Sequence, residues 1–102
     1  GRPPHLWLPD GRSLYDSFGT GWTLLVIDAP APVDEPRWRP WVDIAARHRI
    51  ALAVVRHALP ELRALYDAPL ALIRPDHIVA WRGSGAREAD AVWARLLGRT
   101  SH

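Results

Sequence analysis

The chain has 102 residues, 48% hydrophobic and 24% charged, which suits one globular domain with one modest core and leaves no apolar run long enough to span a membrane. Its net charge of +2 comes from 13 basic residues, all arginine, scattered among 11 acids, so there is no clustered basic stripe of the kind nucleic acid requires. There is no cysteine, which excludes disulfides, thiolate metal sites and thiol redox chemistry together.

Along the chain, Gly1 to Pro4 reads as the remnant of an interdomain linker, and residues 5–102 as a single domain. His5 to Leu8 is expected to form a short strand before the Pro9-Asp10-Gly11 turn. Ser13 then caps a helical turn, with Asp16 placed to favour its free amides. Trp22 to Ile27 is a continuous apolar and β-branched run, the pattern of a strand buried on both faces. Ala29 to Pro36 reads as a surface loop, followed by a helix from about Arg39 to His48 with Pro40 in its first turn. Ala51 to Val55 is a second buried strand. Pro60 to Tyr66 is a short helix with Leu62, Leu65 and Tyr66 inward. Leu70 to Ile73 and Ile78 to Trp81 form a hairpin across Pro75-Asp76. Ala86 to Leu97 carries apolar residues at 89, 92, 93, 96 and 97, and Gly98 stands where a C-terminal cap belongs. Two buried strands joined by a helix should be parallel, and the hairpin adds an antiparallel edge. The fold class is therefore α/β, with a mixed four- to five-stranded sheet and helices on both faces.

Candidate chemistry is sparse. Five histidines, His5, His48, His57, His77 and His102, invite a metal or acid–base reading, and His5 could meet His57 or His77 with Asp10 or Asp76 nearby. No His-x-x-x-His pair supports it, and polar caps and strand ends account for them more simply. Ser13, His48 and Asp28 can be written as a triad, but no Gly-x-Ser-x-Gly elbow frames Ser13. Asp10 and Asp16 can be written as paired carboxylates, yet a turn and a helix start explain both. No catalytic, cofactor-binding or metal residue is assigned.

The six tryptophans are the unusual feature. Trp22, Trp81 and Trp93 belong to the core. Trp38 and Trp41, beside Arg37 and Arg39, are expected to form an exposed aromatic–arginine patch for a protein partner, with a core place as the alternative for Trp41.

The element order, and the segment Asp67-Ala-Pro-Leu-Ala-Leu-Ile-Arg-Pro-Asp-His-Ile-Val-Ala-Trp-Arg-Gly83, resemble the thioredoxin fold. The resemblance makes Pro69 a structural residue and implies a cis bond at Ala68–Pro69. The region matching the thioredoxin cysteines, Asp28 to Trp38, holds no thiol. More closely, Pro4-His-Leu-Trp-Leu8, Asp10-Gly-Arg-Ser-Leu-Tyr-Asp-Ser-Phe-Gly19, Trp22-Thr-Leu-Leu25 and Leu72-Ile-Arg-Pro-Asp-His-Ile-Val-Ala-Trp-Arg82 resemble the C-terminal domain of FAD-dependent aromatic-ring hydroxylases. These are flavoprotein monooxygenases similar to p-hydroxybenzoate and phenol hydroxylase, and the likeness is to bacterial members acting on polyketides and other large aromatics.

That resemblance implies an accessory domain, inactive in redox chemistry by itself, that packs on the FAD and substrate domain of a cytoplasmic parent and allows a homodimer. FAD and NAD(P)H belong to the parent. The chain lacks the glycine-rich strand-to-helix turn that binds a dinucleotide; Gly83-Ser-Gly85 reads as a hairpin exit. The absence of methionine agrees with a piece excised from a larger protein, and arginine in place of lysine with a GC-rich genome. The rival reading is a stand-alone thioredoxin-like protein-interaction module. A small cofactor-free enzyme is the third.

Overall fold

A computed structural model describes residues 7–98, and the expected linker remnant and His5 lie outside that range. The four strands are β1 (Trp22–Ile27), β2 (Leu52–His57), β3 (Leu70–Ile73) and β4 (Val79–Gly83). They form one sheet in the order β2-β1-β3-β4. β1 runs parallel to β2, with Trp22 opposite Leu52 and Ile27 opposite His57. It runs antiparallel to β3, and β3 antiparallel to β4. The parallel pair and the closing hairpin are both as the sequence leads one to expect. The central strands are the most apolar because β1 and β3 are covered on both faces: every residue of β3 and five of six in β1 are buried.

Three helices and a 3-10 turn sandwich the sheet: α1 (Glu35–Arg47), α2 (Pro60–Tyr66), α3 (Ala89–Leu96) and the turn Leu14–Ser17. Leu24, Val26, Leu70 and Leu72 point to one face, against Trp38, Trp41 and Ile44 of α1 and Val92 and Trp93 of α3. Leu25, Ile27, Ala71 and Ile73 point to the other, against Leu62 and Tyr66 of α2 and against Leu8 and Leu14. Alternate residues of one strand feed separate cores.

Aromatic rings lock the first core. Trp41 and Trp81 lie 4.2 Å apart by centroid, and Trp22 meets Trp93 edge-on at 5.1 Å. Their indole N–H groups are used as well: Trp41 Nε1 donates to the Gly85 carbonyl at 3.2 Å, and Trp93 Nε1 to the Trp41 carbonyl at 3.2 Å.

Several boundaries differ from expectation. α1 begins at Glu35, four residues early, so Pro40 lies inside the helix and Pro36 in its first turn. Pro36 is tolerated where amides have no helical partner anyway, whereas Pro40 removes one interior bond. Burial of Trp38, one turn before Trp41, outweighs that loss. α3 starts at Ala89, because Ala86–Glu88 forms a turn closed by Ala89 N–H on the Ala86 carbonyl at 3.1 Å. Gly98 does end it, with φ of 69°. Leu65, expected inward, is 39% exposed, because a seven-residue helix on one partner face buries only the i, i+4 pair Leu62 and Tyr66. Trp7 makes an isolated bridge to Ser13 where a strand was expected.

The cis expectation fails. Ala68–Pro69 is trans, and the cis bond among the described residues is Ala29–Pro30, in the β1–α1 loop. The change of direction after α2 is made at Asp67, whose φ of 54° and ψ of 33° are left-handed. Pro69 opens β3, with its carbonyl accepting the Ile27 amide at 2.8 Å.

Candidate functional site

The expected aromatic–arginine patch does not exist as one surface. Arg37 and Arg39 are exposed, whereas Trp41 is fully buried and Trp38 is 9% exposed. Once α1 begins at Glu35, residues 38 and 41 fall on one face of the helix and 37 and 39 on others. Arg39 bonds Asp43 at 3.1 Å and lies 4.0 Å from Glu35, both on its own helix. Such exposed i, i+4 pairs contribute little. The arginine above Trp38 is instead Arg56 of β2, 5.6 Å from the ring centroid.

Arg56 also clasps Asp28 through two bonds, at 2.9 and 3.0 Å. Burial pushes the Asp28 carboxyl up, but the Arg56 hydrogen bond and the Val33 amide outweigh it and hold its pKa below the usual value. Asp28 thus ties β2 to the β1–α1 loop, and Arg63 of α2 secures that loop from the other side by donating to the Ala29 carbonyl at 3.0 Å.

This loop is where a parallel β-α-β unit would cradle a dinucleotide pyrophosphate. The residues do not fit one. The stretch from Asp28 to Asp34 has no glycine, and Asp28, Asp34 and Glu35 bring negative charge to the start of α1. The Val33 amide is already taken by Asp28 Oδ1 at 2.7 Å. Gly83 serves packing: a Cβ there would stand 2.3 Å from the Trp81 ring.

A depression of about 360 Å³ lies between the Leu8–Arg12 turn and the end of β2. Leu8, Pro9, Ala58 and Leu59 line it with apolar surface, and Asp10, Arg12, Arg56 and His57 with polar groups. Asp10 and His57 both line it, whereas His5, the centre of the expected cluster, lies outside the described residues. Asp10 accepts from the Arg12 side chain at 2.8 Å and its amide at 3.0 Å, an Asx turn written in Asp-Gly-Arg. Burial, then the nearby Arg12, push the His57 pKa down, against a smaller opposing pull from Asp10.

His57 Nε2 lies 3.3 Å from Ser17 Oγ, a nucleophile-and-base pairing the sequence reading missed. The hydroxyl hydrogen of Ser17, however, is directed at the Leu14 carbonyl at 2.7 Å. Ser17 has no second proton, so Nε2–H donates to it, and the pair is a fastener rather than an activated nucleophile. Ser13 caps the 3-10 turn by accepting the Tyr15 amide at 3.2 Å, while His48 closes α1 and Asp28 holds Arg56, so the written triad is dispersed. His77 stacks with Tyr15 and Phe18. Among the described residues no three His, Asp or Glu side chains gather as a metal site requires, and no helix is long and apolar enough to cross a membrane.

Comparison with known proteins gives a consistent answer. A family model described as the C-terminal part of aromatic-ring hydroxylases matches residues 1–100. The chain is 35% identical, over 99% of its length, to the FAD-dependent monooxygenase opdD of Penicillium oxalicum, and 33% identical, over 95%, to the FAD-dependent monooxygenase apdD of Emericella nidulans. It spans only 20% and 16% of those fungal relatives. Among solved structures, RebC with bound 7-carboxy-K252c superposes with a TM-score of 0.80 at 32% identity, over 98% of this chain and 18% of RebC. A complex of aklavinone-11 hydroxylase with FAD and aklavinone superposes with a TM-score of 0.73 at 26% identity, over 96% of this chain and 21% of that one.

Proposed function

The chain belongs to the family of aromatic-ring hydroxylase C-terminal domains, and from that membership we propose that its parent is an FAD-dependent monooxygenase hydroxylating a large aromatic substrate. The observation that carries this is the match over 98% of the chain to 18% of RebC, at a TM-score of 0.80. In this reading the domain is accessory. It packs on the flavin and substrate domain, stabilises it and supports a homodimer, while FAD and NAD(P)H bind elsewhere in the parent. The acidic, glycine-free β1–α1 loop supports the view that the chain binds no FAD itself.

We read the sheet as thioredoxin-like. Its order β2-β1-β3-β4, with one parallel and two antiparallel pairings, supports this. Pro69 opens β3 as a structural residue. Arginine as the sole basic residue favours a GC-rich, bacterial source, and its scatter among the acids argues against a nucleic-acid partner; a cytoplasmic parent without a membrane partner is part of the same proposal.

The test is the full-length parent. Purified, it should carry flavin absorbance and consume NAD(P)H faster when its aromatic substrate is added. A parent without bound flavin would leave the stand-alone interaction module as the better reading.

A further inference from the structure

We propose that the groove between the Leu8–Arg12 turn and the β2–α2 loop, together with Trp7 next to Leu8 in the chain, is the surface on which the flavin-binding portion of the parent docks. This rests on the function proposed above and adds the face that is used.

Among the described residues the two faces of the sheet are unequally covered. α1 and α3, of 13 and 8 residues, cover one; α2 of 7 residues and a 3-10 turn of 4 cover the other. The exposed large apolar residues among those described are Trp7, at 66%, and Leu65, at 39%. Both stand on the thinly covered side. Trp7 adjoins Leu8, which packs into that core, and Leu65 lies on α2. The groove lies on this side too, because Leu8 and Leu59 belong both to its walls and to that core.

The chemistry of the groove points to a protein occupant. Its lining mixes apolar side chains with polar and charged ones, a composition that suits a protein partner. The arginine charges are already balanced. Arg12 is held by Asp10 at 2.8 Å, and Arg56 by Asp28 at 2.9 Å, so neither calls for an anionic ligand. A tryptophan beside an apolar recess is the usual anchor of such contacts.

The occupant follows from length. The chain spans 20% and 16% of its curated relatives, so about four-fifths of such proteins lies outside it. In a parent built that way the preceding domain is tethered to Trp7's end of this domain, close to the groove. Tethering gives an effective concentration on the order of millimolar, so a patch of this modest size suffices.

The experiment uses the full-length parent, with a benzophenone amino acid in place of Trp7 and, in a second protein, in place of Arg39 on the opposite face. After irradiation, cross-linked peptides are identified by mass spectrometry and flavin content is read from absorbance. The expected result is an intrachain cross-link from position 7 to the flavin-binding portion, absent from position 39. Ala58→Glu, an exposed change in the groove wall, should abolish the position 7 cross-link. A cross-link from position 7 only to a second copy would overturn the proposal in favour of a homodimer face. No cross-link from position 7, or one only from position 39, would overturn it as well. Absence of bound flavin would defeat the underlying function instead, so the two failures are separable.

Discussion

Trp38 and Trp93 show how alike two indoles look in sequence and how differently they are used. Both are buried, but Trp93 Nε1 donates to the Trp41 carbonyl whereas Trp38 Nε1 is buried without a partner. Removing Trp93 to alanine should cost about 3–5 kcal/mol, and Trp38→Ala should also be plainly destabilising, read from urea midpoints. The phenylalanine variants separate them. Trp38→Phe discards an unsatisfied donor, while Trp93→Phe loses the hydrogen bond made to the Trp41 carbonyl, so the second should be worse by about 1 kcal/mol. His57 gives a pH signature. Burial and Arg12 depress its folded pKa below the ordinary 6.5. Between the folded pKa and 6.5 the unfolded chain binds more protons, so stability should rise with pH across that interval and fall on acidification through it. His57→Gln should flatten the slope in unfolding titrations; an unchanged slope would place the titrating group elsewhere.

Elements are decided by the compromise between local preference and burial. Pro40 sits inside α1, where it removes an interior hydrogen bond, yet the helix continues because Trp38 and Trp41 must both reach the core. Pro40→Ala should therefore raise stability by about 1–2 kcal/mol, the gain in helical bonding being partly offset by a more flexible unfolded chain. Gly83 at the end of β4 is a contrary case, since only a missing side chain lets the Trp81 ring lie where it does. Gly83→Ala should displace that ring and cost about 1–3 kcal/mol, with the Trp81 contribution to near-ultraviolet circular dichroism reduced. Where signals agreed, the sequence placed elements to the residue: β1, α2 and β3 have the limits expected of them. β1 and β3 are apolar runs that follow Gly21 and Pro69, and α2 opens on Pro60. α1 was misread at its start because Pro30, Pro32 and Pro36 together read as a loop and Pro40 as the first turn, although Pro36 is equally a helix-start signal.

For the whole molecule, the parts that carry chemistry in a flavoprotein hydroxylase are not supplied by this domain in the reading proposed here. Titrating the chain with FAD should leave flavin absorbance and fluorescence unchanged, because the loop before α1 offers charge of the wrong sign and no free glycine amides. Micromolar, stoichiometric binding would contradict that. Little of the candidate site was legible in sequence. Its signals were the Pro9-Asp10-Gly11 turn and a cluster around His5 that could take in His57 or His77 with Asp10 or Asp76; Arg12, Ala58 and Leu59 carried none.

Local signals were enough to determine the α/β class, the parallel first pair, the closing hairpin and the family resemblance, because all of these are written in periodicity, turn residues and short strings. The fate of individual side chains was not. A tryptophan fits a core and an interface equally well by composition, and the helical register decides between them. That register depended on where α1 began, and thus on what the sheet could bury. Nor could the chain say that Asp67, not Pro69, makes the turn into β3, since left-handed backbone at Asp67 is stabilised by its bond to Arg63 and by the strand it must meet. The groove exists only because the Leu8–Arg12 turn and the end of β2, more than 40 residues apart, are brought together by the second core.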